Sequence, residues 1–335
     1  MINIRREVPL LSCNTFGIPA IASVFVESDH VPELADFVRS LSNPSTALVL
    51  GGGSNILMVS ECVDVVVRPM MKGIELVGET DGYVSVRAGA GEVWDDFVSW
   101  CVNRRYAGVE NLSHIPGTVG ACPIQNIGAY GVEAKETVEA VETIDKETGQ
   151  TVTFSNQQCR FAYRDSFFKK NKGKYIVTAV RFRLSKRFEP NMKYADLEKE
   201  LSTDVPATIE NVRQAVINIR RRKLPDPLEL GNAGSFFKNP TINTAKWEEI
   251  SRLYPQAPLY PASEGDWKIS AAWLIQQCGW KGVREGNVGA YHQQPLVIVN
   301  YGGASGKEIL NFARKIIDSV EQKFGIGLEP EVRII

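Results

Sequence analysis

Residues 48–57 read LVLGGGSNIL. A short apolar run meets three consecutive glycines, then Ser54 and Asn55, and a second apolar run follows. Glycine has no Cβ, so the backbone N–H groups of Gly51, Gly52 and Gly53 can converge on an anion with nothing in the way. Ser54 and Asn55 add side-chain donors. No lysine follows, so this is not a Walker loop. The third glycine of a dinucleotide fingerprint is missing, and ILMVS (56–60) reads as a strand rather than a helix. Taken alone, the stretch fits a plain tight turn as well as an anion-binding loop.

A second loop shifts that balance. IPGTVGACPIQNIGAYG (115–131) is rich in glycine, holds two prolines and carries no charged residue. It is long for a turn and too rich in glycine for a core helix, and long ordered loops of this kind usually carry function. Gln125 and Asn126 offer paired amide donors and acceptors. Two glycine loops, each beside strands, suit a ligand with a diphosphate and a flat polar ring, such as a flavin dinucleotide.

Strands are expected in VDVVVRP (63–69), YVSVRAGAG (83–91), VEAVETID (138–145), TVTFS (151–155) and YIVTAVRFRL (175–184). GEVWDDFVSWCVNRRYAG (91–108) reads as a helix with Val93, Phe97, Trp100 and Cys101 on one face and Gly108 as its stop. TIENVRQAVINIRRRK (208–223) reads as another, with Val212, Val216 and Ile219 on one face and basic residues compensating the dipole at its end. Pro225 and Pro227 forbid its continuation. Near the C-terminus Ser305 and Glu308 form a capping box, Ile309, Phe312, Ile316, Val320 and Phe324 form an apolar stripe, and Gly325 ends the helix. In the closing LEPEVRII, Val332 and Ile334 are expected to point one way and Glu331 and Arg333 the other.

Composition sets the frame. The 335 residues allow two or three domains, and 38 basic against 39 acidic residues argue against a nucleic-acid or membrane-surface binder. No apolar run approaches the roughly 18 residues of a membrane span, and the N-terminus is too polar for a signal peptide. A cytoplasmic protein is expected. Six scattered cysteines form no CxxC pair and sit near no histidine at zinc spacing, so free thiols and no metal are expected.

Several stretches together carry a family resemblance: NTFGI (14–18), GGGSNIL (51–57), the 115–131 loop, FAYRDSFFK (161–169), KLPDPLELGNAGSFFKNP (223–240), AYHQQPLVIVN (290–300) and LEPEVRII (328–335). In this order, over nearly the whole chain, they resemble the UDP-N-acetylenolpyruvoylglucosamine reductases, flavoenzymes that complete UDP-N-acetylmuramate for peptidoglycan. The resemblance implies an α+β / α/β, three-domain flavoprotein. Two FAD-binding domains of the vanillyl-alcohol-oxidase (PCMH) type are expected at 1–68 and 69–222, and a C-terminal α+β substrate domain at 223–326. A last segment, 327–335, should return to the flavin domains with Glu331. KYADL (193–197) looks like the tyrosine-bearing substrate loop of one branch of the family.

The implied cofactors are non-covalent FAD and NADPH, and the implied partners are small molecules only, with the chain a monomer. FAD is expected on Gly51, Gly52, Gly53, Ser54 and Asn55, and on Ile115, Pro116, Gly117, Thr118, Gly120, Ala121, Ile124, Gln125, Asn126 and Ile127. The implied reaction moves a hydride to C3 of the enolpyruvyl ether, with charge developing at C2 and in the carboxylate. The resemblance makes Ser235 the acid that protonates C2, which is basic enough for a hydroxyl to serve. Arg164 takes the carboxylate with its planar fork, and Glu331 is the third catalytic residue, with a raised pKa or Arg164 as its partner. Tyr194, Lys223 and Asn239 are implied for the UDP part, with Tyr130, Arg220, Tyr260, Lys268 and Gln294 beside them. Ala121 and Cys122 stand where some members carry serines.

Three other readings remain open from sequence. A serine hydrolase built on Ser235 lacks a GxSxG elbow and an evident partner among His30, His114 and His292. A nucleotide-binding protein without activity would use the glycine loops alone. An oxidase of the same flavin fold is the third.

Overall fold

The computed structural model describes residues 1–201, 206–262 and 265–335. The chain divides into two compact units. The first comprises Met1–Pro9, Ile21–Gly53 and Cys62–Arg222, and the second Leu10–Ala20, Ser54–Glu61 and Lys223–Ile335.

The first unit holds two sheets. One runs Ile2–Pro9, Ile21–Ser28, Cys62–Pro69, Leu48–Val49, antiparallel in its first pair and parallel after it. The other runs Thr151–Ser155, Val138–Asp145, Tyr175–Ser185, Tyr83–Gly89, Ile74–Glu79, all antiparallel. Its central strand is buried continuously from Ile176 to Val180. It then alternates, Arg181 and Arg183 out, Phe182 and Leu184 in, as its cover changes from two faces to one. Lys146, fully buried beyond the end of Val138–Asp145, donates to the carbonyls of Ala47 at 2.8 Å and Ser45 at 3.3 Å. A buried ammonium must be hydrogen-bonded, and this one fastens the chain that feeds the glycine loop.

Helix Trp94–Asn103 packs Trp94, Phe97, Val98, Cys101 and Val102 into the core, with Phe97 and Phe182 ring centroids 4.5 Å apart. Two sequence expectations fail here. Val93 is 44% exposed and precedes the helix as its cap, so it is not on the buried face. The stop is not Gly108: Arg105 itself adopts a left-handed φ of 58°, and Tyr106 N–H reaches back to the Cys101 carbonyl at 3.0 Å. That is a Schellman-type end on a non-glycine residue. Gly108 serves a close approach instead, since a Cβ there would lie 2.8 Å from Thr137 Cγ2.

In the second unit, one sheet runs Gly231–Ser235, Val297–Asn300, Val288–Ala290, Arg284–Glu285. A smaller one runs Thr241–Ile242, Trp267–Ile269, Leu259–Pro261. Helix Gly306–Phe324 has the expected capping box, the expected buried stripe, and Gly325 at φ 61°. The C-terminal Arg333–Ile334 pairs in parallel with Ile56–Leu57. The expected alternation at this end does not hold, because pairing covers only those two residues: Val332 is buried, while both Arg333 and Ile334 are exposed.

Candidate active site

In the first unit, Leu50 N–H bonds the Val67 carbonyl at 2.9 Å and launches the glycine loop. The two glycine loops singled out in the sequence touch. A Cβ on Gly52 would lie 3.0 Å from Gly117 Cα. One on Gly51 would lie 2.7 Å from Thr118 Oγ1 and 3.5 Å from Ala121 Cβ. Gly120 is pressed as closely on Ala90, at 2.6 Å from a built Cβ. Gly53 and Gly117 take φ of 65° and 133°, conformations that favour glycine. The result is a backbone-walled cradle that side chains would fill, which fits the diphosphate of a dinucleotide. Ile115, Pro116, Ile124, Gln125 and Ile127 line the same second loop, Pro116 exposed and Ile127 buried.

Asn126 is engaged within the protein through its side chain. It is wholly buried at φ 47°, and its amide donates to the Ala162 carbonyl at 2.9 Å and to Glu133 at 3.1 Å. Its oxygen accepts from Lys135 N–H at 2.9 Å. These bonds hold the loop together and occupy both amide protons. Cys122 is also buried, and burial pushes its thiol well above the ordinary value, so it is a packing residue.

Arg164 sits at the tip of a tight turn closed by Ala162 and Asp165, each N–H to the other's carbonyl, at 3.0 and 3.1 Å. Its φ is 51°, a conformation that costs a non-glycine residue about 1–2 kcal/mol. The side chain lies over Gly128: Arg164 Nη2 donates to the Gly128 carbonyl, and a Cβ there would lie 2.7 Å from Nη1. The neighbouring Asp165 is paired with Lys170 at 3.2 Å.

Tyr130, Tyr194 and Arg220, three of the residues carried over for the nucleotide, converge. The two rings meet edge to face with centroids 5.1 Å apart. Burial pushes the Tyr130 hydroxyl up to about 12, against the opposing pull of Arg220. Burial likewise lowers Arg220, whose Nε donates to the His114 carbonyl at 3.0 Å. The basic end of helix Ile209–Lys223 is therefore more than dipole compensation. Sequence reasoning missed Asn111, fully buried, whose amide holds the Tyr130 carbonyl at 2.9 Å and the Asn191 carbonyl at 3.1 Å.

In the second unit, Ser235 and Glu331 lie on paired backbones. Glu331 N–H donates to the Phe236 carbonyl at 2.8 Å, and Phe237 bridges to Pro330. Asn55 Nδ2 donates to the Glu331 carbonyl at 3.3 Å, so this side chain supports the segment that carries Glu331. Among the described residues, Ser235 Oγ makes no hydrogen bond within the protein. Tyr260 and Lys268 are cross-strand partners, hence on one face, and Lys268 also pairs with Thr241. Asn239, two residues before Thr241, accepts from Ala271 N–H at 3.0 Å. Gln294 closes the turn before strand Val297–Asn300, and Lys223 ends its helix. The described residues contain no group of three His, Cys, Asp or Glu able to hold a metal, and no helix long and apolar enough to cross a membrane.

Comparison with known proteins identifies the family. Residues 22–155 match the family described as FAD binding domain, and residues 226–335 match that described as UDP-N-acetylenolpyruvoylglucosamine reductase, C-terminal domain. A UDP-N-acetylenolpyruvoylglucosamine reductase of Xylella fastidiosa (strain M12) is 45% identical, covering 99% of this chain and 96% of its own. The chain belongs to the UDP-N-acetylenolpyruvoylglucosamine reductase family. Another reductase, from Azoarcus sp. (strain BH72), is 46% identical, covering 98% of this chain and 96% of its own. The crystal structure of the Thermus caldophilus reductase aligns over 100% of this chain and 99% of its own with a TM-score of 0.71. At 24% identity, that likeness speaks for the fold. The expected flavoprotein architecture, with a reductase C-terminal domain, is thereby confirmed.

Proposed function

We propose that this chain reduces the enolpyruvyl ether of UDP-N-acetylglucosamine to UDP-N-acetylmuramate, as the family does in peptidoglycan precursor synthesis, with the following division of labour. FAD, recharged by NADPH, supplies the hydride. The backbones of Gly51 to Gly53 and of the 115–127 loop hold its diphosphate and ring. Asn126 and Asn55 act beside that site rather than on the cofactor, Asn126 by closing its loop and Asn55 by bracing Glu331.

Ser235 gives its proton to C2. Its hydroxyl makes no hydrogen bond within the protein among the described residues, which leaves its proton available to the substrate. Arg164 meets the substrate carboxylate, where charge grows as the vinyl group is reduced. A guanidinium held ready for that charge lowers the barrier without reorganising. Glu331 completes the catalytic set from the C-terminal segment whose backbone bonds Phe236, next to Ser235. Tyr130, Tyr194 and Arg220 form one nucleotide-binding group, and Asn239, Tyr260 and Lys268 a second, with Lys223 supplying charge for the diphosphate and Gln294 a further amide.

The domain limits 1–68, 69–222, 223–326 and 327–335 are retained as the functional division, and the chain works as a cytoplasmic monomer. The observation that supports the reading most is the hydrogen bond from Glu331 N–H to the Phe236 carbonyl, because it brings the backbone of Glu331 beside the residue that follows Ser235, from a distant part of the sequence. The test is anaerobic. NADPH should bleach the protein's flavin, and the enolpyruvyl sugar nucleotide should restore its colour. A protein that ignores either reagent would refute the reading.

A further inference from the structure

Strand Gly231–Ser235 is irregular just before Ser235. Asn232 pairs with Val299 and Ser235 with Val297, so three steps on one strand oppose two on the other. The extra residue is a β-bulge, and its effect on direction is decisive. Side chains alternate faces along a strand, so one added residue reverses the face on which everything beyond it projects. The bulge therefore decides which side of the sheet carries the Ser235 hydroxyl.

Two residues make the bulge. Gly234 adopts φ 68°, the left-handed conformation that glycine takes readily. Asn232, 3% exposed, spans it with its side chain. Asn232 Oδ1 accepts from Gly234 N–H at 2.9 Å, and Nδ2 donates to the Leu230 carbonyl at 2.8 Å and the Pro225 carbonyl at 3.2 Å. Its own N–H bonds the Thr15 carbonyl at 3.0 Å. The strand is pressed against that same segment: a Cβ on Gly231 would lie 2.4 Å from the Phe16 carbonyl oxygen, which Asn300 Nδ2 also holds at 2.8 Å. A small, fully hydrogen-bonded amide is the one group here that can satisfy two carbonyls and one N–H at once.

We propose that Asn232 is the positioning residue for Ser235: by locking the bulge it fixes the face and distance at which the hydroxyl is offered. Its side chain is taken up by the Gly234 N–H and the Leu230 and Pro225 carbonyls, so it acts through Ser235. The inference rests on Ser235 being the proton donor, and the experiment separates the two claims.

Asn232→Ala and Gly234→Ala are made alone and with Ser235→Ala, and both half-reactions are followed anaerobically by flavin absorbance. A Cβ on Gly234 meets nothing within 4 Å, so Gly234→Ala disturbs the bulge conformation without a clash and serves where Asn232→Ala does not fold. Reoxidation by substrate should fall by about 10–100-fold, the effect of displacing a reacting group by a fraction of an ångström to one ångström. Reduction by NADPH should stay within about twofold of wild type, and neither substitution should slow reoxidation further once Ser235 is alanine, because coupled residues do not add. Hydrogen exchange at the Gly234 amide should quicken in Asn232→Ala, which reports the lost lock without any turnover. Full additivity with Ser235→Ala, equal loss in both half-reactions, or wild-type reoxidation in Gly234→Ala would overturn the positioning role. If Ser235→Ala alone reoxidises at the wild-type rate, the donor assignment itself fails.

Discussion

Replacing Gly52 with alanine tests whether the two glycine loops form the flavin cradle. The added Cβ would lie 3.0 Å from Gly117 Cα, with Gly117 C and N at 3.6 Å. Carbon atoms rest comfortably at about 3.5–4.0 Å, so one loop must retreat by about half an ångström. Retreat of the second loop is resisted. Trp94 N–H holds the Gly117 carbonyl at 3.1 Å, Val119 N–H holds the Glu92 carbonyl at 2.9 Å, and Gly117 itself sits at φ 133°. Overpacking of this kind costs about 1–3 kcal/mol. If that cost falls on the FAD-bound form, Kd rises about 5- to 150-fold. Gly51→Ala is the control, because its obstacle is the Thr118 Oγ1 at 2.7 Å, a side-chain atom that can rotate away or be removed. FAD titration of the apoprotein by fluorescence, with thermal melting alongside, should rank Gly52→Ala as the worse variant. Gly51→Ala with Thr118→Ala should bind FAD better than Gly51→Ala alone. Binding within about twofold of wild type in Gly52→Ala, below any overpacking cost, would refute the cradle.

Three further outcomes are expected. Lys223→Ala should raise KM for the sugar nucleotide with little change in kcat, as loss of uniform binding requires, and an unchanged KM would remove Lys223 from the site. Asn126→Ala leaves the Lys135 N–H without its acceptor and takes one of two donors from the Ala162 carbonyl, and should lower stability by about 1–3 kcal/mol in urea unfolding; a neutral variant would return this amide to the ligand. Asp95 accepts from both Arg213 nitrogens, at 2.7 and 2.9 Å, and from the His114 N–H. Burial alone would raise its carboxyl, but these donors win and hold it below its ordinary value of 3.8. Their stabilisation is therefore complete above that pH and disappears as pH falls through the lower folded value. Asp95→Asn should destabilise by about 1–3 kcal/mol at neutral pH and progressively less in acid; a gap independent of pH would contradict the assignment.

What the sequence revealed follows how local the signal is. Helix Gly306–Phe324 was readable to its last residue, because its capping box, stripe and Gly325 are all short-range features. The end of helix Trp94–Asn103 was misread, since Arg105 accepts a left-handed conformation that the sequence assigned to the next glycine. The strand-forming stretches were legible from valine-rich alternation, but their partners were not. Nothing in LEPEVRII shows that Glu331 N–H will find the Phe236 carbonyl, or that Arg333 will pair with Ile56. The buried asparagines escaped for the same reason. Asn126 reads as a ligand residue and nothing in the sequence singles out Asn232, since only the fold supplies the carbonyls and N–H groups that saturate them. The proposed catalytic residues, Arg164, Ser235 and Glu331, are named through family resemblance rather than local pattern, because no short-range feature of the sequence marks their chemistry.

The central claim is that Ser235 protonates the reacting carbon. Ser235→Ala, reduced anaerobically by NADPH and then mixed with the enolpyruvyl sugar nucleotide, tests it most directly. The account predicts flavin bleaching near the wild-type rate and return of colour slowed by at least about 100-fold, the share expected of a positioned acid. Ser235→Cys should recover part of that loss. Return of colour at the wild-type rate in Ser235→Ala would contradict the account.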